Sequence, residues 1–171
     1  MRKTERYKVE GSSSLWQIYK TVSFWKVAKC FIVIEIARIM PFLAVKNWMY
    51  RRLLKMTIGA RTAFALKVVP DTMFPERITV GSDTIIGFNT TILAHEYLIE
   101  EYRLGDVCIG DRVMIGANST ILPGVTIGDD AVVSAMTLVH KDVPAGAMVG
   151  GNPMQVIYTK EQRQQQSTEK S

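Results

Sequence analysis

The chain has 171 residues, 47% of them hydrophobic and 22% charged, enough for one domain with its own core and not comfortably for two. Its net charge of +5 is unevenly held: residues 1–60 carry twelve Lys and Arg against three Asp and Glu, while the remainder carries nine against thirteen. Cys30 and Cys108 stand without a CxxC or a Cys/His cluster, which argues against a disulfide framework or a zinc site and predicts two buried thiols in a reducing compartment.

Residues 1–12 are polar and basic and are expected to be loose. The serines at 12–14 cap a helix expected from about residue 15 to about residue 40. Lys26 and Lys29 lie opposite Glu35 and Arg38 on it, so it is expected to be buried on more than one side, or broken near Ser23. The same four charges interrupt the apolar run 24–45, which therefore reads neither as a membrane span nor as a signal peptide. Pro41 suits the first turn of a second helix at about 42–56. There Leu43, Val45, Met49, Tyr50, Leu53, Leu54 and Met56 gather on one side and Arg51, Arg52 and Lys55 on the other, with Lys46 as the exception. Two uses fit it. One is a cap over the end of the segment that follows, with a solvated basic face. The other is a surface for anionic lipid or a lipid-linked substrate. The basic residues lack the interleaved aromatics of a nucleic-acid motif, so no such partner is expected.

From residue 58 onward a period of six emerges, irregular at first and strict over 109–144. Aliphatic residues fall at Ile109, Ile115, Ile121, Ile127, Val133 and Val139. Small or short side chains follow four places later at Val113, Ser119, Val125, Ala131, Thr137 and Val143. A helix repeats near 3.6 residues and a strand at 2. A strict six with β-branched residues and turn-forming Gly, Asp and Asn predicts short strands joined by tight corners, the signature of a solenoid. The phase fails twice. Residues 64–77, with Pro70 and Pro75, predict a wider coil or a loop, and the gap of 17 between Ile92 and Ile109 predicts a charged loop thrown out at 95–106, with His95 at its base. The organisation is therefore a helical segment at 1–56, a solenoid at 57–158 and a polar tail at 159–171, expected to be disordered.

Four motifs carry a family resemblance: Met114-Ile115-Gly116, Leu122-Pro123-Gly124-Val125-Thr126-Ile127-Gly128, Val139-His140-Lys141-Asp142-Val143-Pro144 and Gly151-Asn152-Pro153. They resemble the hexapeptide-repeat acyltransferases, in particular the maltose/galactoside O-acetyltransferase branch. The resemblance implies a mainly β fold, a left-handed parallel β-helix, assembled as a homotrimer with active sites between neighbouring prisms. The N-terminal helices are more similar to the leaders of cell-surface polysaccharide acetyltransferases.

Moving an acetyl group from a thioester to a hydroxyl requires removal of the hydroxyl proton as attack occurs, and a neutral imidazole titrating near about pH 6.5 suits that step. His95 falls at the loop where the family keeps its catalytic histidine, which makes it the expected general base. Glu96 and Glu100 or Glu101 are candidates to orient it, with solvated loop carboxylates the plainer reading. The resemblance assigns the groove for acetyl-CoA to Met114, Gly116, Ala117, Ala135, His140 and Lys141, with Lys141 meeting a phosphate. Met114 stands where the family has Trp and Ala117 where it has Ser, and Gln155 and Tyr158 replace basic residues near the adenine end. For the acceptor, residues 64–71 resemble the family's sugar-contacting segment; Asp71 is kept, Ala65 replaces Asn, and Asn89 is the alternative contact or a corner residue. No metal is expected: two histidines do not supply the three ligands of the carbonic anhydrases that share this fold. The reading is a cytoplasmic, acetyl-CoA-dependent O-acetyltransferase acting on a sugar or polysaccharide precursor. Its rivals are an N-acyltransferase acting on an amino sugar, and a non-catalytic β-helix module held in peripheral contact with a membrane by its basic helices.

Overall fold

The structure of the protein, a computed structural model, describes residues 2–169. Met1, in the stretch expected to be loose, and residues 170 and 171 of the expected tail lie outside the described residues. The strand β1 (Glu5–Lys8) is followed by helices α1 (Ile18–Thr21), α2 (Phe24–Ile39) and α3 (Leu43–Arg52). Three-stranded coils follow: β2 (Thr57–Ile58), β3 (Ala63–Phe64) and β4 (Val69–Pro70), then β5 (Ile78–Val80), β6 (Ile85–Ile86) and β7 (Thr91–Ile92). A hairpin of β8 (His95–Tyr97) and β9 (Glu101–Leu104) leaves the wall before β10 (Val107–Ile109), β11 (Met114–Ile115) and β12 (Thr120–Ile121). The next coil is β13 (Thr126–Ile127), β14 (Val132–Val133) and β15 (Leu138–Val139). The chain closes with β16 (Met148–Gly150), β17 (Gln155–Tyr158) and α4 (Lys160–Glu169).

Corresponding strands stack into three faces, ordered β13-β10-β5-β2, β17-β16-β14-β11-β6-β3 and β15-β12-β7-β4, all parallel except β17. All twelve residues picked out by the six-residue period over 109–144 point into the prism and are buried. Each such Ile or Val contributes about 1.5–3 kcal/mol relative to exposure. The period is six because a two-residue strand and a four-residue corner make one side of the triangle. Left-handed backbone recurs at equivalent corner positions, at Arg61, Asp83, Arg112 and Asp130 on one edge and at Lys67, Asn89, Asn118 and Met136 on the next. Arg61 pairs with Asp83 and Arg112 with Asp130 up the first of these edges.

Neighbouring coils exchange backbone bonds in both senses. Strand N–H groups donate to the coil after, as Ile85 does to Val113 and Met114 to Ala131, and corner N–H groups donate to the coil before, as Arg112 does to Ser82 and Asn118 to Phe88. The first coil has no preceding coil, so its carbonyls on that side need other donors, and a buried, unpaired carbonyl is costly. Helix α3 supplies the donors. Lys46 Nζ donates to the Phe64 and Ala65 carbonyls at 3.0 Å each, Asn47 Nδ2 to Thr62 at 2.7 Å, and Arg51 to Ile58 and Gly59. At the other end antiparallel β17 pairs with β16 and closes the stack.

This capping reverses part of the expected helix orientation. Lys46 and Asn47 are buried beside Met49 and Tyr50, while Leu43 and Val45 face outward. Burial pulls the Lys46 ammonium below its ordinary value. The first helix does break near Ser23, after an extended Val22. The expectation that it is buried on more than one side fails within this chain, because only the stripe Cys30, Val33, Ile34 and Ala37 is covered. Two further expectations are corrected. Cys108 is exposed, because it is the outward neighbour of inward-pointing Ile109 on β10. The C-terminal segment is helical through Glu169, anchored where Arg163 donates to the Asp130 and Gly146 carbonyls.

The expected outcome for Lys46→Met, which keeps the stem and removes the donor, is a loss of about 1–3 kcal/mol, measured by urea unfolding. Ile121→Ala, in the mid-prism core, is expected to cost about 2–5 kcal/mol by the same measurement.

Candidate active site

The period fails at the third corner of the prism, between β7 and β10, and there the chemistry collects. Asp71 leaves the same corner one coil earlier, where the chain after β4 turns into the wide segment with Phe74 and Pro75. Its carboxylate has no exposed side-chain surface. Oδ1 accepts from the Met73 and Phe74 amides at 2.8 Å each, and Oδ2 accepts from the amides of Ala94 at 2.7 Å and His95 at 3.1 Å. Oδ2 also lies 2.6 Å from His95 Nδ1. Burial opposes the charged form of Asp71, but the bond to His95, its attraction and the backbone amides outweigh it and hold the carboxyl below the usual range.

An ionised carboxylate only accepts, so the proton of a neutral His95 is assigned to Nδ1 and the lone pair to Nε2. Nε2 has no partner among the described residues. The ring is 14% exposed, with Phe74 and Tyr97 against it at centroid distances of 6.0 and 5.3 Å. These walls and the fixed Nδ1 bond leave the imidazole one orientation.

The hairpin carrying His95 is itself strapped down. The N-terminal segment, expected to be loose, instead adds β1 to β9 as a third, antiparallel strand. Arg2 pairs with Glu96 at 2.7 Å, Ser14 donates to the Leu98 carbonyl, and Thr21 meets the Tyr97 hydroxyl. Glu96 is thus committed to Arg2 and Glu101 to Arg103, and neither touches the imidazole. The orienting carboxylate is Asp71, 24 residues upstream. Asp71, expected among the acceptor contacts, is fully buried behind His95 with both oxygens taken up by hydrogen bonds. A signal was present, since one carboxylate and one histidine flank consecutive passages of a single corner.

The expected groove residues fall into two groups. His140 and Lys141 follow β15 at the third corner, the edge that carries His95. Lys141 is exposed, and His140 Nδ1 lies 3.2 Å from the Leu138 carbonyl. Met114 lies exposed on β11, and Gly116, Ala117 and Ala135 stack at the second corner. The width of the β4-β7-β12-β15 face separates the two groups, so one chain does not bring them together. At Gly116 a Cβ would lie 2.3 Å from the Ala135 amide nitrogen, so only glycine lets the coils stack that closely here. Asn89 also belongs to the second corner. It has φ of 55° and donates to Asn118 at 2.9 Å, the corner role and not a contact beside His95. Among the described residues no three His, Cys, Asp or Glu side chains gather as a metal site would require.

Residues 106–136 match the family described as the hexapeptide repeat of succinyl-transferase. Over 165 residues the chain is 68% identical to YvoF of Bacillus subtilis (strain 168), a protein provisionally named an acetyltransferase, and the match covers 96% of each chain. Among solved structures it is similar to the hexapeptide-repeat acetyltransferase VCA0836 of Vibrio cholerae complexed with acetyl coenzyme A, with a TM-score of 0.67 and 23% identity over 79% of this chain and 87% of that one. It is also similar to a galactoside acetyltransferase in complex with coenzyme A, with a TM-score of 0.61 and 20% identity over 82% of this chain and 84% of that one. The fold is the left-handed parallel β-helix of these proteins.

Because the Asp71 carboxyl is depressed, its stabilisation is present in full above the ordinary carboxylate value of about 3.9 and is lost as pH falls through the folded-state value. Asp71→Asn is expected to be less stable than the parent by about 1.5–3 kcal/mol at neutral pH. The difference should shrink in strong acid, as measured by denaturant unfolding across pH.

Proposed function

The chain belongs to the hexapeptide-repeat acetyltransferases, and on that premise we propose that it moves the acetyl group of acetyl-CoA to a hydroxyl of a sugar or polysaccharide precursor, with His95 as general base. The observation that carries this reading is the buried Asp71 carboxylate 2.6 Å from His95 Nδ1. It fixes the tautomer that leaves Nε2 free to accept a proton and stabilises the imidazolium that results. As the acceptor hydroxyl gives its proton to Nε2, its oxygen attacks the thioester carbonyl carbon. The tetrahedral intermediate then collapses with cleavage of the C–S bond, and the coenzyme sulfur leaves as the thiolate, which takes up the proton held by His95. Asp71 stays ionised throughout and is a positioning residue.

The separation of the groove residues supports a homotrimer in which the third corner of one prism faces the second corner of its neighbour. His95, His140 and Lys141 then come from one chain, and Met114, Gly116, Ala117 and Ala135 from the next. The pantetheine arm, rich in amides, would run between them against backbone exposed by the small residues, with Lys141 near a phosphate.

His95→Ala is expected to lower kcat by about 10²–10⁴-fold while leaving the oligomer and coenzyme binding intact. The check is thiol release from acetyl-CoA against a panel of hydroxyl and amino acceptors; undiminished turnover in His95→Ala would refute the base assignment, and turnover with amines alone would refute O-acetylation. Ala117→Trp is expected to be inactive by blocking the groove. Co-refolding it with His95→Ala should restore partial activity, because some clefts then combine two unaltered halves; no recovery would argue against a shared site.

A further inference from the structure

We propose that the outer face of α2 and α3 is a docking surface for anionic lipid, by which the protein lies on a bilayer without crossing it. The surface follows from the way the solenoid is capped. Helix α3 turns its donors Lys46 and Asn47 inward to the bare carbonyls of the first coil. That choice sends Leu43, Val45 and Trp48, with neighbouring Phe42, outward. Helix α2 packs beside it, with Cys30, Val33, Ile34 and Ala37 toward the protein. Its opposite side carries Phe24, Trp25, Phe31, Ile32, Ile36 and Ile39, all exposed, Trp25 at 78% and Ile39 at 76%. The only acid on that helix, Glu35, is paired to Arg38. A helix apolar on both sides is ordinarily covered on both sides, and apolar ground of this kind marks an interaction site.

Charge identifies what covers it. Residues 13–56 hold eight Lys and Arg and one Glu. Lys20, Lys29, Arg52 and Lys55 are exposed, and Lys29 and Lys55 line a cleft with Trp25 at the margin of the apolar face. A second copy of the same face would set these cations against one another, whereas an anionic headgroup layer complements them and accepts the aromatic and aliphatic side chains beneath it. Exposed Trp beside cations at the rim is the composition of an interfacial helix. No helix among the described residues is long and apolar enough to cross a membrane, so the geometry is that of a helix pair lying in the interface. This surface is independent of acetyl transfer.

The test is flotation of the full chain with vesicles of phosphatidylcholine alone or mixed with phosphatidylglycerol, at low and high salt, with tryptophan emission followed in parallel. The expected result is flotation and a blue shift with the anionic vesicles only, reversed by salt. The double variants Trp25→Ala/Trp48→Ala and Lys29→Glu/Arg52→Glu, shown to be folded by circular dichroism and of unchanged assembly size by sedimentation, should each weaken binding by at least about tenfold. Absence of flotation and blue shift with the unaltered chain on anionic vesicles would overturn the proposal, as would equal binding to neutral vesicles. A change in assembly size on Trp25→Ala/Trp48→Ala would assign the face to contact between copies and overturn it equally.

Discussion

The structure depends on satisfying the backbone at the open ends of the stack. Interior coils exchange hydrogen bonds with the coils on both sides, while the first and last coils each lack a neighbour. At the N-terminal end side chains of α3 donate to carbonyls of the first coil; the C-terminal end is closed by turning β17 back as an antiparallel partner of β16. Unpaired buried peptide groups cost more than the hydrogen bonds that satisfy them contribute on net, so the ends are built as firmly as the middle. The burial of a lysine ammonium against Phe64 and Ala65 is otherwise hard to understand: desolvating it is unfavourable, and two carbonyl acceptors offset that cost. The outward-facing apolar residues of α3 are the other side of the same choice.

Regularity also governs where side-chain chemistry has room. Inside the prism the turns are filled by Ile, Val and small residues, with Phe64 and Pro70 in the first coil, and the two regular edges are taken up by left-handed corners and their Arg–Asp or Asn–Asn stacks. Only the third edge is released from this pattern, first by the wide segment after Asp71 and then by the β8–β9 hairpin. The buried carboxylate is tolerable there because four backbone amides and one imidazole converge on it. The hairpin would be a two-stranded excursion of marginal stability by itself. The β1 strand and the contacts of Arg2, Ser14 and Thr21 make it part of a three-stranded sheet tied to the helices. The N-terminal segment thus has two roles: it caps the first coil, and it holds in place the loop on which His95 is mounted.

The sequence by itself determined the solenoid, its core and the position of its interruption, because a six-residue period is a local property: each aliphatic residue finds its depth in the prism from its own corner and strand. The burial of the six-spaced residues from Ile109 to Val143, and the place of the loop that begins at His95, are legible without coordinates for that reason. What only the tertiary structure decided is which distant groups meet. Asp71 reaches His95 because consecutive passages of the third corner stack on one another. Lys46 points inward because carbonyls of the first coil have no preceding coil to pair them, a fact about the end of the stack that helical periodicity does not encode. β1 orders the hairpin by backbone pairing, to which its polar side chains give no clue. The period of six is written residue by residue; the partners across coils are set by stacking, and stacking exists only once the chain has folded.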